Sequence, residues 1–152
     1  MRRSELRRQL RIRAREIIVK RERRFTISID GKNLKRIMRR LMRMDNYTHL
    51  STITALEVGS EIELIYHFAF TDALVSLKVR TSKDKPLLPS IVDLIPGAAL
   101  YEREIHDLFG VEFEGNPDLS PLLLPDNWPE GVYPLRKWWS TERILAKLGG
   151  RR

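Results

Sequence analysis

Five prolines, Pro117, Pro121, Pro125, Pro129 and Pro134, punctuate one segment near the end of the chain. No helix and no internal strand survives that spacing, because each proline fixes φ and removes a backbone donor. The same segment carries Leu122, Leu123, Leu124 and Trp128. An extended chain with few hydrogen bonds of its own has to lay such side chains on another surface. Just upstream the pattern changes. Tyr101, Ile105, Leu108 and Phe109 recur at i, i+4, i+7 and i+8, one face of a helix, while Glu102, Arg103, His106 and Asp107 fall on the other side. Gly110 then supplies the left-handed residue that stops the helix. The expected organisation is a globular domain over residues 1–113 and an extended interaction tail over 114–152. Ser140 caps a short terminal helix in that tail, with Ile144, Leu145 and Leu148 on its apolar side.

The globular part reads as α+β. Leu6, Leu10, Ala14 and Ile17 make a narrow apolar stripe on an arginine-rich first helix, with Ser4 as its N-cap. Ile17–Val19 starts a strand, and Phe25–Ile29 alternates with period two. Asp30-Gly31 turns the chain, with Asp30 a cap for a helix whose apolar face is Leu34, Ile37, Met38 and Leu41 and which ends near Asp45-Asn46. His49–Val58, Glu61–Phe70 and Leu74–Arg80 are three strands joined by short turns, an antiparallel meander. Ile62, Leu64, Tyr66, Phe68 and Phe70 share one face of the middle strand. Thr81–Pro86 is a polar loop, and Ser90 opens a short helix that Pro96-Gly97 ends. The predicted fold is a mainly antiparallel sheet with helices packed on one face, followed by the extended proline-rich C-terminal tail.

Charge is unevenly spread. Residues 1–43 hold 17 Lys+Arg against 4 Asp+Glu, whereas the remainder hold 11 against 16. A basic first third suits nucleic acid, an anionic surface or an acidic partner. Phe25 is the only aromatic residue before Tyr47, so stacking platforms for bases are missing there. A free-standing nucleic-acid-binding protein is therefore the alternative rather than the leading reading, and no nucleic acid is expected. The chain has no cysteine, which removes disulfides and an all-cysteine iron–sulfur cluster. No apolar run approaches the roughly twenty residues that cross a bilayer, and no secretion signal follows Met1. The 32% charged content, with Gln9 the only glutamine, leans toward a thermophile.

Catalytic motifs are absent: there is no Gly-x-Ser-x-Gly, no phosphate loop and no Gly-x-Gly-x-x-Gly. His49, His67 and His106 lie on different elements, and no metal-ligand spacing emerges around Glu102 and His106. Arg103 and Asp107 stand at i, i+4. They can form an exposed pair worth about 0.3–0.5 kcal/mol, or belong with Glu102 and Glu104 to a face docked on a partner or joined to the tail. Asp118 suits an Asx-turn. Trp128, Trp138 and Trp139 either fold back into the chain's own core or anchor the tail elsewhere, and Arg136 is the better candidate for bidentate contact with a carboxylate.

Taken together, Glu102-Arg103-Glu104, Asp107-Leu108-Phe109-Gly110-Val111, Phe113, Gly115, Pro117-Asp118-Leu119, Leu123-Leu124-Pro125, Trp128 and Pro134-Leu135-Arg136-Lys137 resemble the C-terminal motif of the C-type subunit of respiratory complex I (NADH–quinone oxidoreductase). The family includes the equivalent subunit of membrane-bound, ferredoxin-linked [NiFe] hydrogenases. The sequence departs from the motif at Asn116, where histidine is usual, at Ser120-Pro121, which replaces a basic pair, and at Trp138, where an acidic residue is usual. These departures point to a divergent, hydrogenase-like or sulfur-reducing branch. The resemblance implies a non-catalytic structural subunit of the peripheral arm, on the cytoplasmic face of the cell membrane, in electron transfer coupled to ion translocation. It implies as partners a [NiFe]-hydrogenase-like large subunit, a small iron–sulfur subunit and other subunits of a membrane complex. No cofactor is expected in this chain; iron–sulfur clusters, and in some members a [NiFe] centre, belong to the partners. The implied partner interface comprises Glu102, Arg103, Glu104, Asp107, Phe109, Pro117, Asp118, Leu123, Trp128, Leu135, Arg136 and Lys137.

Overall fold

The structure is a computed structural model that describes residues 1–12 and 17–149. In chain order the elements are α1 (Arg3–Leu10), β1 (Ile17–Arg21), β2 (Arg24–Ile29), a 3-10 turn (Gly31–Asn33) leading into α2 (Leu34–Met42), β3 (Tyr47–Val58), β4 (Glu61–Phe70), β5 (Ala73–Ser82), β6 (Leu87–Pro89), α3 (Ala98–Phe109), β7 (Glu112–Glu114) and α4 (Thr141–Gly149).

Five strands form one sheet in the order β1-β2-β5-β4-β3. The meander β3-β4-β5 is antiparallel, as the short links between its strands predict. β2 joins the sheet parallel to β5, with Arg24 opposite Leu74 and Ile29 opposite Val79. The reason is topological. β2 and β3 are linked through α2, so they run in the same direction, and β4 and β5 fill the gap between them.

The core lies on one face of this sheet. Ile62, Leu64, Tyr66 and Phe68 of β4, Val75, Leu77 and Val79 of β5, and Phe25 and Ile27 of β2 are buried there. Leu6 and Leu10 of α1, Leu34, Ile37, Met38 and Leu41 of α2, and Ala98, Ile105 and Phe109 of α3 belong to the same apolar cluster. Each large side chain so buried contributes about 1.5–3 kcal/mol. That sum pins the register, because a one-residue slip of β4 would send Glu61, Glu63 and His67 into the core. On the other face, Glu63 is covered by Lys78 Nζ at 2.6 Å and Arg80 Nε at 2.8 Å. Burial pushes the Glu63 carboxyl up, but these two cations outweigh it and hold it below its usual range. His67 bridges two strands, with Nδ1 3.1 Å from Ser76 Oγ and Nε2 3.3 Å from Thr54 Oγ1.

Several local expectations change. α1 stops at Leu10 because Arg11 turns left-handed at φ 50°, so Ile17 belongs to β1 rather than to the helical stripe. Ala14 lies outside the described residues. Arg2, not Ser4, holds the N-cap position, and its backbone N–H donates to Glu5 Oε2 at 3.2 Å. Asp30 precedes the 3-10 turn without a side-chain cap. α2 ends at Met42, earlier than expected. Ser90 starts only a turn, in which Ile91 O accepts from Leu94 N and Ile95 N before Pro96 intervenes. β6 and β7 form a parallel pair that the sequence did not announce, since Pro89 ends one of its strands. β5 extends through Ser82 into the expected polar loop, and Thr81 Oγ1 bonds both Leu87 N and Leu87 O. Among the described residues no helix is long and apolar enough to cross a membrane.

Candidate functional site

The site grows from α3. Its apolar side fastens it to the core through Ala98, Ile105 and Phe109. Gly110 ends it at φ 65°, donating its N–H to His106 O at 2.8 Å, as expected for a glycine stop. The polar side is where the structure departs from the simple amphipathic picture. Glu102 does not face outward. It is fully buried, and its carboxylate accepts from Ser90 Oγ at 2.7 Å, Ile91 N at 2.7 Å and Asn116 Nδ2 at 2.8 Å. One carboxylate thus joins the turn after β6, α3 and the first residues beyond β7. Burial pushes its pKa up, against the pull of those three donors. Tyr66, fully buried on β4, feels the Glu102 charge, and burial and that charge together raise its hydroxyl pKa.

Arg103 and Asp107 do not pair with each other. Both reach into the proline-rich segment. Arg103 donates from Nε to Ser120 O and from Nη2 to Pro121 O, each at 2.9 Å. Asp107 is buried, and its Oδ2 accepts three successive amides: Leu122 N and Leu123 N at 2.8 Å and Leu124 N at 3.3 Å. These are donors that a proline-broken segment cannot place in a ladder, and charge strengthens each bond. Asn116 Oδ1 accepts from Asp118 N, and Asp118 Oδ1 from Ser120 N, two successive Asx-turns. The Ser120 bonds hold the Asp118 carboxyl below its usual range.

Further along, the chain comes back to the end of α3. Leu135 N donates to Leu108 O at 3.1 Å. Arg136 donates from Nε to Phe109 O at 2.7 Å and from Nη1 to Lys83 O at 3.0 Å, with its guanidinium 4.7 Å from the Tyr133 ring centre. A cation on the last carbonyls of a helix also complements its dipole. Lys137 N reaches Glu57 Oε2 at 2.9 Å, at the far end of β3. The Tyr133 ring lies against Gly110 so closely that a Cβ there would sit 2.3 Å from it. Trp128 Nε1 donates to Val132 O at 2.7 Å, closing a local turn.

The expected interface residues therefore fall into two groups. Glu102, Asp107 and Phe109 are buried within the chain, and Arg103, Trp128 and Arg136 are half-buried with their polar atoms engaged internally. Glu104, Pro117, Asp118, Leu123, Leu135 and Lys137 are exposed. Ser90, Asn116 and Tyr133 were not among the expected residues, yet each holds the segment in place. Only Asn116, beside Pro117-Asp118, carried a local turn signal. Leu123 is 57% exposed, Leu135 54% and Trp138 65%, the last under the Arg143 guanidinium at 3.9 Å. The charged groups of Arg103, Asp107 and Arg136 thus bond inward, while Leu123, Leu135 and Trp138 face outward beside the exposed Glu104, Asp118 and Lys137. Among the described residues no three His, Asp or Glu side chains are grouped to hold a metal ion. What the arrangement does chemically is rigidify a strap and present leucines and a tryptophan on its outer side.

Residues 27–143 match the family described as the respiratory-chain NADH dehydrogenase 30 kDa subunit. The chain is 33% identical over 130 residues to the beta subunit of the membrane-bound hydrogenase of Pyrococcus furiosus, covering 80% of this chain and 75% of that one. It is 34% identical over 113 residues to the C-type subunit of the F420H2 dehydrogenase of Methanosarcina mazei, covering 72% and 71%. Among solved structures, a chain of the membrane-bound sulfane sulfur reductase, an archaeal respiratory membrane complex, superposes with a TM-score of 0.78 at 32% identity, over 88% of this chain and 81% of that one. A trypsin-resistant fragment of Nqo5 shares the fold, with a TM-score of 0.62 at 24% identity over 78% of this chain and all of the fragment.

Proposed function

Since the chain belongs to the family of the respiratory-chain NADH dehydrogenase 30 kDa subunit, we propose that it is a non-catalytic structural subunit of a membrane-bound, complex-I-like oxidoreductase. It braces the large subunit in the peripheral arm and touches the small iron–sulfur subunit. Iron–sulfur clusters, and in a hydrogenase-type complex the [NiFe] centre, belong to those partners. The complex sits on the cytoplasmic face of the membrane, takes electrons from ferredoxin and couples their transfer to ion translocation. The long matches to a membrane-bound hydrogenase subunit and a sulfane sulfur reductase chain, over 80% and 88% of this chain, support this branch, and C-type subunits of NADH–quinone oxidoreductases match at similar identity.

The observation that carries the bracing role is the inverted strap. α3 spends Arg103 and Asp107 on the strap's backbone and the strap spends Arg136 on that of α3, while the large apolar side chains Leu123, Leu135 and Trp138 stay exposed for a partner. Of the three, Trp138 is the residue type that most often carries the binding energy between subunits, and the leucines extend its apolar face. The test is affinity purification of the tagged chain from its native cell in mild detergent. Wild type is expected to bring down a large chain, an iron–sulfur chain and membrane chains. A Leu123→Ser, Leu135→Ser, Trp138→Ser variant should fold with an unchanged melting curve and recover those partners at about a tenth of the wild-type yield or less. Full recovery by the variant would move the interface off the strap, and recovery of no such chains by wild type would overturn the assignment.

A further inference from the structure

Nothing in the strap uses the basic first third, and the structure organises it. α1 and α2 pack side by side, with Arg40 Nη1 donating to Leu10 O at 2.7 Å, the last carbonyl of α1. Along their seam runs a recess of about 550 Å³ lined by Arg8, Gln9, Arg11, Arg40 and Arg43. A second recess, of about 800 Å³, follows α1 and is lined by Arg3, Ser4, Arg7, Arg8, Arg11 and Ile12. The two share Arg8 and Arg11, so they form one groove. No carboxylate is among those lining residues.

Of the nearby acids, Glu5 accepts from Arg2 N, and Glu5 and Asp45 line a smaller recess that shares Gln9 and Arg43 with the groove. Asp93 takes Lys35 and Arg39, and Glu61 and Glu63 take Lys78 and Arg80. Among the described residues Arg7, Arg8, Arg11 and Arg43 make no ion pair, and the Arg36 side chain bonds only Asn33 Oδ1. Partial burial, with Arg36 and then Arg11 adding repulsion, holds the Arg40 guanidinium below its usual range. Arginines thus outnumber acids along the groove, an excess of like charge that costs stability and that a bound anion would relieve. α1 also precedes the family match, which begins at residue 27.

We propose that this groove seats an acidic segment, a short run of Asp and Glu, from a neighbouring protein. All its cations are guanidinium groups, whose planar fork matches a carboxylate bidentately, and Gln9 adds an amide donor. No aromatic side chain lines it, so a nucleobase has no stacking platform. Ile12 is its only apolar lining residue, too little to anchor it in a bilayer. Eight residues of α1 span roughly 12 Å, the reach of about four extended residues.

The probe is a fluorescein-labelled hexaglutamate peptide titrated with the full chain and followed by anisotropy. Binding is expected to weaken with salt, and hexaglutamine is expected not to bind. Arg8→Glu, Arg11→Glu, Arg43→Glu together should lower affinity by about tenfold or more. Lys20→Glu, Arg21→Glu, Arg24→Glu, the same charge change on the β1–β2 hairpin, should leave it within about twofold. Circular-dichroism melts verify folding, and the corresponding triple glutamine variant replaces the first set if it unfolds. Equal losses in both triples, no binding of hexaglutamate, or equal binding of hexaglutamine would each overturn the proposal. So would tighter binding to phosphatidylserine-containing vesicles or to oligothymidylate, which would give the groove a lipid or nucleic-acid occupant.

Discussion

At the scale of the residue, Glu102 is the most consequential side chain of the site. It lies on a polar stripe, but its three donors come from two segments outside α3, and it is closed off from water. Glu102→Ala should cost about 2 kcal/mol in urea unfolding, because the donors left behind outweigh the relief of a desolvated charge; Glu102→Gln should cost about 1 kcal/mol. The pH dependence carries the sign. The folded pKa is raised by burial, so the folded chain holds the Glu102 proton more tightly than the unfolded chain. Its stabilisation is complete below the ordinary carboxylate range and is lost as pH rises through the raised value. The wild-type advantage over Glu102→Gln should therefore shrink between those limits with rising pH. A constant difference would mean that Glu102 does not titrate in that window. Asn116 makes a related point. Its amide both donates to Glu102 and accepts from Asp118 N, turning the chain and tying it down at once.

At the scale of the element, α3 is fixed at its end as much as along its face. Gly110 is required twice, by its left-handed φ of 65° and by the Tyr133 ring pressed against it. Gly110→Ala should cost about 3 kcal/mol, of which the backbone conformation alone accounts for about 1 kcal/mol. In a Tyr133→Ala background the same change should cost only that smaller part, a coupling that a double-mutant cycle in urea measures. Additive costs would show that the ring does not bear on the glycine. The helix, its glycine stop and the apolar alternation of β4 were legible because short-range rules govern them: one face, one period, one left-handed residue. The fate of Glu102 and Asp107 was not. Period alone put both on the outer side of α3, and only the return of a distant, proline-broken segment turns that side into an interior. The parallel seat of β2 beside β5 was hidden for the same reason, since strand order depends on the path through α2 and not on the local pattern.

At the scale of the whole molecule, the chain separates its charges and its tasks. α1 and α2 present arginines, whereas α3 and the strap present leucines and a tryptophan. The family match covers the second region and omits α1. The two proposed contacts differ in chemistry, so salt should weaken binding at the arginine groove and leave the apolar face nearly untouched.

The return of Leu135 and Arg136 to Leu108 and Phe109 has a topological consequence. The proline-rich stretch leaves the root of α3 and comes back to it, so it is a buckle with both ends fastened. A protease site inserted between the exposed Asp126 and Asn127 should yield two bands on a denaturing gel and a single species on native size exclusion. Asn116, Arg103 and Asp107 hold one side of the cut, and Tyr133, Arg136 and Lys137 hold the other. Escape of the C-terminal piece would mean that the second clasp is too weak to act alone. Retention would mean that a scissile, water-exposed bend can be severed in service without the protein letting go.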